Sequence, residues 1–80
     1  MWPSVTGRDV LQALSHLGWQ FVRQTGSHRN LRHPARCAAR LPNATYPFAY
    51  SDRETVGAPA LAKLTARMGL DRDAFLAALR

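Results

Sequence analysis

The stretch Gly18-Trp19-Gln20-Phe21-Val22-Arg23-Gln24-Thr25-Gly26-Ser27-His28-Arg29-Asn30-Leu31-Arg32-His33-Pro34 constrains the fold more than any other. Trp19 to Gln24 is rich in aromatic and β-branched residues, which predicts a strand with Trp19 and Phe21 on its core face. Thr25-Gly26-Ser27 carries turn chemistry, with Gly26 as the structural turn residue. His28 to His33 reads as the returning strand, and Pro34 stops it. Successive strand side chains point to opposite faces, so Leu31 inward places His28, Asn30 and Arg32 on the other, open face. A hairpin built this way needs a helical layer over its apolar side.

The flanking sequence supplies one. Thr6 has the character of an N-cap, and Asp9 three residues on completes a capping box. Val10, Leu11, Leu14 and Leu17 recur at helical spacing, and Gly18 suits the position beyond the helix end. His16 falls off that apolar stripe, on the surface near the helix's negative end. A short third strand is expected over Cys37 to Leu41, with Arg40 directed outward and Pro42 ending it. Residues 43–58 combine aromatic mass with Pro, Asn and Gly, which predicts an ordered loop without regular structure. Pro59 fits the first turn of a second helix with Leu61, Leu64 and Met68 on its stripe and Gly69 at its end. Asp71 caps a last short helix carrying Phe75, Leu76 and Leu79. Residues 1–5 are expected to be a ragged or lightly docked terminus.

Eighty residues support one modest core, so residues 1–80 are read as a single domain. The fold class expected is α+β, in the order α-β-β-β-α. A three-stranded antiparallel sheet is packed on one face by two helices, with a short C-terminal helix added. This layout resembles that of a double-stranded-RNA-binding domain. No apolar run is long enough to span a membrane, and Met-Trp-Pro-Ser does not open like a secretory signal, so a cytoplasmic protein is expected. The lone Cys37 excludes an internal disulfide and the common zinc spacings.

Charge is distributed unevenly. Of the net charge of +6, nearly all lies between Val10 and Ser51, which contains Arg23, Arg29, Arg32, Arg36 and Arg40 and no carboxylate. A contiguous arginine-only excess suits phosphate, because the guanidinium fork pairs with it bidentately. Nucleic acid is therefore the expected partner.

Three chemistries are open to the Gly26-Ser27-His28 segment. Asp9, Asp71 and Asp73 serve helix starts, and Asp52 and Glu54 alone are too few for an oxygen-rich metal cage. Ser27 and His28 are adjacent on a strand and face apart, which disfavours a nucleophile–base pair. A histidine acting on RNA needs the least apparatus, since the 2′-hydroxyl is a nucleophile beside its own phosphate. The imidazole takes the proton and arginines hold the charge that develops, without a cofactor. A structural or merely exposed His28 is the competing reading. His33, before Pro34, is read as structural, hydrogen-bonding at the strand's end.

Gly18-Trp19, Arg23-Gln24-Thr25-Gly26-Ser27-His28 and His33-Pro34, with Leu41-Pro42 and Leu61 to Leu70, closely resemble the HicA family of bacterial mRNA-interferase toxins. The resemblance implies a fold similar to a double-stranded-RNA-binding domain and metal-independent cleavage of mRNA. It also implies silencing by a HicB-like antitoxin that covers the active site. The catalytic role falls on His28 by this resemblance. Gly26 and Ser27 are expected to set its position. Ser27, Arg23, Arg29, Arg32 and Arg40 are expected to contact RNA. The 43–58 segment departs from the family pattern, as does Pro59 where a glycine is usual. A non-catalytic RNA-binding module using the same sheet is the alternative.

Overall fold

The computed structural model describes residues 3–33 and 45–79. The first element is β1 (Val5–Thr6), followed by helix α1 (Gly7–His16). Next come β2 (Gln20–Thr25), β3 (His28–Arg32), β4 (Thr45–Phe48) and β5 (Thr55–Val56). Helices α2 (Ala58–Met68) and α3 (Arg72–Ala78) end the chain. Strands β2, β3 and β4 form an antiparallel sheet in that spatial order, and β1 pairs antiparallel with β5 in a separate two-stranded ladder. The architecture is α+β, compatible with a double-stranded-RNA-binding-domain-like fold. Among the described residues, no helix is long and apolar enough to cross a membrane.

Local signals explain the helices. Thr6 and Asp9 form the anticipated capping box: the Asp9 N–H donates to Thr6 Oγ1 at 3.2 Å and the Thr6 N–H to Asp9 Oδ2 at 3.1 Å. Two further N–H groups at the start of α1 are satisfied from a distant loop, Gly7 donating to the Glu54 carbonyl at 2.8 Å and Arg8 to that of Asp52 at 3.1 Å. Helix α2 has its proline in the first turn and Gly69 at its C-cap. Asp71 caps α3 by accepting the Ala74 N–H at 2.9 Å.

The core lies between one sheet face and the helices. Leu31, Tyr46 and Phe48 of the sheet meet Val10 and Leu14 of α1, Leu61, Leu64 and Met68 of α2, and Phe75 of α3. Burial raises the Tyr46 phenol above its usual value, with the neighbouring Tyr50 adding to the effect and Arg67 opposing it.

The expectations for the 43–58 segment and for Phe21 need correction. The third strand of the sheet is Thr45–Phe48, inside the segment expected to be a loop. Tyr46 and Phe48 alternate inward and Pro47 outward, and among the described residues β4 lies at the edge of the sheet, where a proline is tolerated. Thr55–Val56 in the same segment is also a strand. The strand expected over Cys37 to Leu41 lies outside the described residues. Of the two expectations for the first residues, Val5 fits the docked one: it pairs with Val56, a residue with no exposed surface. Phe21 faces the helix layer but is 59% exposed, and Val22 is 49% exposed. The ladder slips between Phe21 and Arg23, and Phe21 borders an open apolar groove beside Leu11, Leu14 and Trp19 instead of filling the core.

Candidate active site

The hairpin register decides which side chains share the open face. Thr25 is opposite His28, Arg23 is opposite Asn30 and Gln20 is opposite Arg32. On the far side of β3, Thr45 is opposite Arg32 and Pro47 is opposite Asn30. Leu31 is buried against the helices, so this set looks away from them. His28 is exposed, as are Arg23, Thr25 and Arg32. No carboxylate belongs to the set.

The two residues between Thr25 and His28 make the turn, with Gly26 in the left-handed region at φ 60°. Gln24 straps that turn by donating its amide Nε2–H to the Gly26 carbonyl at 3.0 Å. A two-residue connection leaves His28 no freedom of register, so its ring must start beside Thr25. Directly opposed pairs have Cβ atoms about 5 Å apart, and diagonal pairs are about 7–8 Å apart, within reach of a long side chain. Arg23 is the diagonal neighbour of His28. Arg32 is four residues along β3, about 13 Å from His28 at the strand rise.

Arg29 sits elsewhere. It shares the helix-side parity of Leu31, and its guanidinium Nη2 pairs with Asp52 Oδ1 at 2.7 Å and donates to the Tyr50 carbonyl at 3.1 Å. Its guanidinium carbon lies 5.8 Å from the centre of the Phe48 ring. The expectation that Arg29 contacts phosphate beside His28 conflicts with this placement, for the alternation reason that separates Ser27 from His28. Arg23, on the diagonal, is the nearer arginine on His28's own face. Ser27 is exposed in the turn and borders a polar cleft with Gln24, Tyr50, Asp52 and Glu54. Arg40 lies outside the described residues.

His33 has a separate task. Its Nε2 is 2.9 Å from the Leu17 carbonyl, to which it donates, and its ring packs edge-on to Trp19 with centroids 5.5 Å apart. The ring is half-buried at the junction of α1 and β2. The two histidines of the hairpin thus divide into one exposed on the open face and one that ties the helix to the sheet.

Two polar residues of the open face carry a contact that sequence reading alone did not expose. Asn30 donates its Nδ2–H to Thr25 Oγ1 at 3.1 Å, along the diagonal between the strands. The two-residue turn, which sets the register, is the signal that could have found the pair. Among the described residues, no three His, Cys, Asp or Glu side chains converge as a metal site.

A family model described as the HicA toxin of bacterial toxin-antitoxin matches residues 7–47. No curated protein and no solved structure matches the chain. The matched span runs from the first residue of α1 into β4 and takes in the whole hairpin. Because it covers just over half of the 80 residues, the chain belongs to the HicA family, the toxin component of bacterial toxin–antitoxin systems.

Proposed function

We propose that this toxin is an endoribonuclease that cleaves mRNA, with His28 as general acid–base, and that a HicB-like antitoxin restrains it. One observation carries the reading: His28 stands exposed on a carboxylate-free sheet face, with Thr25 opposite and Arg23 on the diagonal. A toxin of this kind works against a partner antitoxin, and one that covers this face would block RNA and supply the missing negative charge. Messenger RNA as substrate makes the cytoplasm its place of action.

The reaction follows from the substrate. The His28 imidazole accepts the 2′-hydroxyl proton as the 2′-oxygen attacks the adjacent phosphorus. The phosphorus–5′-oxygen bond breaks, and the leaving 5′-oxygen takes a proton from the imidazolium or from water. The products are a 2′,3′-cyclic phosphate and a 5′-hydroxyl end. Arg23 opposes the charge that builds on the non-bridging oxygens, and Arg32 holds a neighbouring phosphate. Arg29 serves the scaffold by fixing the 50–52 loop against the hairpin. The nucleophile belongs to the RNA, so the chemistry needs no cofactor.

The test uses paired oligonucleotides in the presence of a chelator. RNA is expected to be cut to cyclic-phosphate ends, and the same sequence with 2′-deoxyribose throughout to remain intact. Binding of the RNA without cleavage would instead identify a non-catalytic RNA-binding module. Cleavage of the deoxy oligonucleotide would remove the 2′-hydroxyl from the mechanism.

A further inference from the structure

The diagonal contact between Asn30 and Thr25 leaves one group unaccounted for. Thr25 Oγ1 accepts the Asn30 amide at 3.1 Å, so its own hydroxyl proton is free to turn elsewhere. Among the described residues, no acceptor takes it. Thr25 is exposed on the open face, directly opposite His28, and Arg23 lies two residues back on the same strand and the same face. A hydroxyl donor and a guanidinium so placed, on the ring's own face, form two sides of a seat for a tetrahedral anion.

We infer that Thr25 is a phosphate-contacting residue of the site, donating its hydroxyl to a non-bridging oxygen of the phosphate at His28, and that Asn30 is its positioning residue. The inference rests on the reading of His28 as the group that acts on RNA. Asn30 restricts the donor: it occupies one Thr25 lone pair from the β3 side, which leaves the O–H to turn away from Asn30. An unrestrained threonine would spend part of its time donating to water or to nearby backbone. The contact is made to bound RNA before any bond changes, so it strengthens binding and the later steps alike. Its loss therefore raises KM with kcat little changed.

Three variants separate this from a structural role. Thr25→Val keeps the shape and the β-branch but removes the hydroxyl, Thr25→Ser restores the donor, and Asn30→Ala removes only the holder. Affinity is measured for a 2′-O-methyl oligonucleotide, which cannot be cut, and steady-state cleavage for the matching RNA. For Thr25→Val the expected result is an affinity about tenfold weaker, the scale of one hydrogen bond to a charged group, with a matching rise in KM. Thr25→Ser is expected to recover most of that loss. Asn30→Ala is expected to weaken binding in the wild-type background and to add little in the Thr25→Val background, the mark of residues acting as a unit. Unchanged affinity in Thr25→Val overturns the inference, and so does a fall in kcat with affinity intact, which would place Thr25 behind His28 and not on the phosphate. The binding arm does not require turnover. If wild-type protein fails to cut RNA, the endoribonuclease reading fails while Thr25 is still judged by affinity alone.

Discussion

His33 donates its Nε2–H to the Leu17 carbonyl at 2.9 Å, tying the end of β3 to the end of α1 across the glycine between helix and sheet. Gly18 makes that approach feasible in two ways. Its φ is +99°, and a Cβ placed on it would lie 2.6 Å from His33 Nε2. Gly18→Ala therefore strains the backbone and displaces the ring together. It is expected to destabilise the fold by about 2 kcal/mol or more, read as a lower midpoint in urea unfolding. A neutral Gly18→Ala would mean that the helix–sheet junction yields.

The arginines of the hairpin are expected to separate by face. Arg23→Ala and Arg32→Ala should each weaken RNA binding and reduce the salt slope by about one released counterion. Arg29→Ala should leave that slope nearly unchanged and lower stability instead, because it removes the Asp52 and Tyr50 contacts. The cost through Asp52 is small: its side chain is 57% exposed, and a pair of this kind contributes at most about 1 kcal/mol. Equal salt slopes for all three variants would contradict the face assignment.

The capping box makes stability depend on acid. The Asp9 carboxyl is held below its ordinary value of 3.8, first by the Thr6 backbone N–H, then by the Thr6 side chain, with Arg8 nearby adding a smaller effect. A depressed folded-state value contributes stability that is present above 3.8 and lost as pH falls through the folded value. Asp9→Asn should flatten this part of the acid limb of a stability-versus-pH curve. Thr6→Ala should cost about 1 kcal/mol at neutral pH by the loss of its cap, measured by the same unfolding method.

Two large aromatic residues in the core should respond differently. Phe75 has no exposed surface and anchors α3, so Phe75→Ala is expected to cost about 3–5 kcal/mol, a large share of the stability of so small a protein. Trp19 is 4% exposed, and among the described residues its buried indole Nε1–H has no hydrogen-bond partner. An unpaired buried donor costs about 1–3 kcal/mol, so Trp19→Phe recovers much of what it loses in packing. Its change in midpoint is expected to be well below that of Phe75→Ala.

Most of the helical layer was legible because its signals are local. The Thr6–Asp9 box, Pro59 in the first turn, Gly69 and Asp71 each act within a few residues of their place in the chain. The Gly26 turn likewise settled the hairpin and the face of His28, and His33 was recognisable as structural from its place before Pro34. The ladder of Val5 with Val56 joins residues far apart in the chain, and no local pattern announces it. The third strand was obscured by Pro47, which reads as a breaker until β4 is known to be an edge. Phe21 looked like core because the slip in register after it has no sequence mark. Arg29 is different: strand alternation already set it apart from His28, and its charge drew it to the wrong face.

The most direct test of the account is single-turnover cleavage of an RNA oligonucleotide by the wild-type protein and by His28→Ala, each at saturating protein and with RNA binding measured in parallel. The account predicts that His28→Ala binds RNA with near wild-type affinity and loses cleavage by at least about a hundredfold, the low end of what a general acid–base contributes. Cleavage by His28→Ala at the wild-type rate would contradict it.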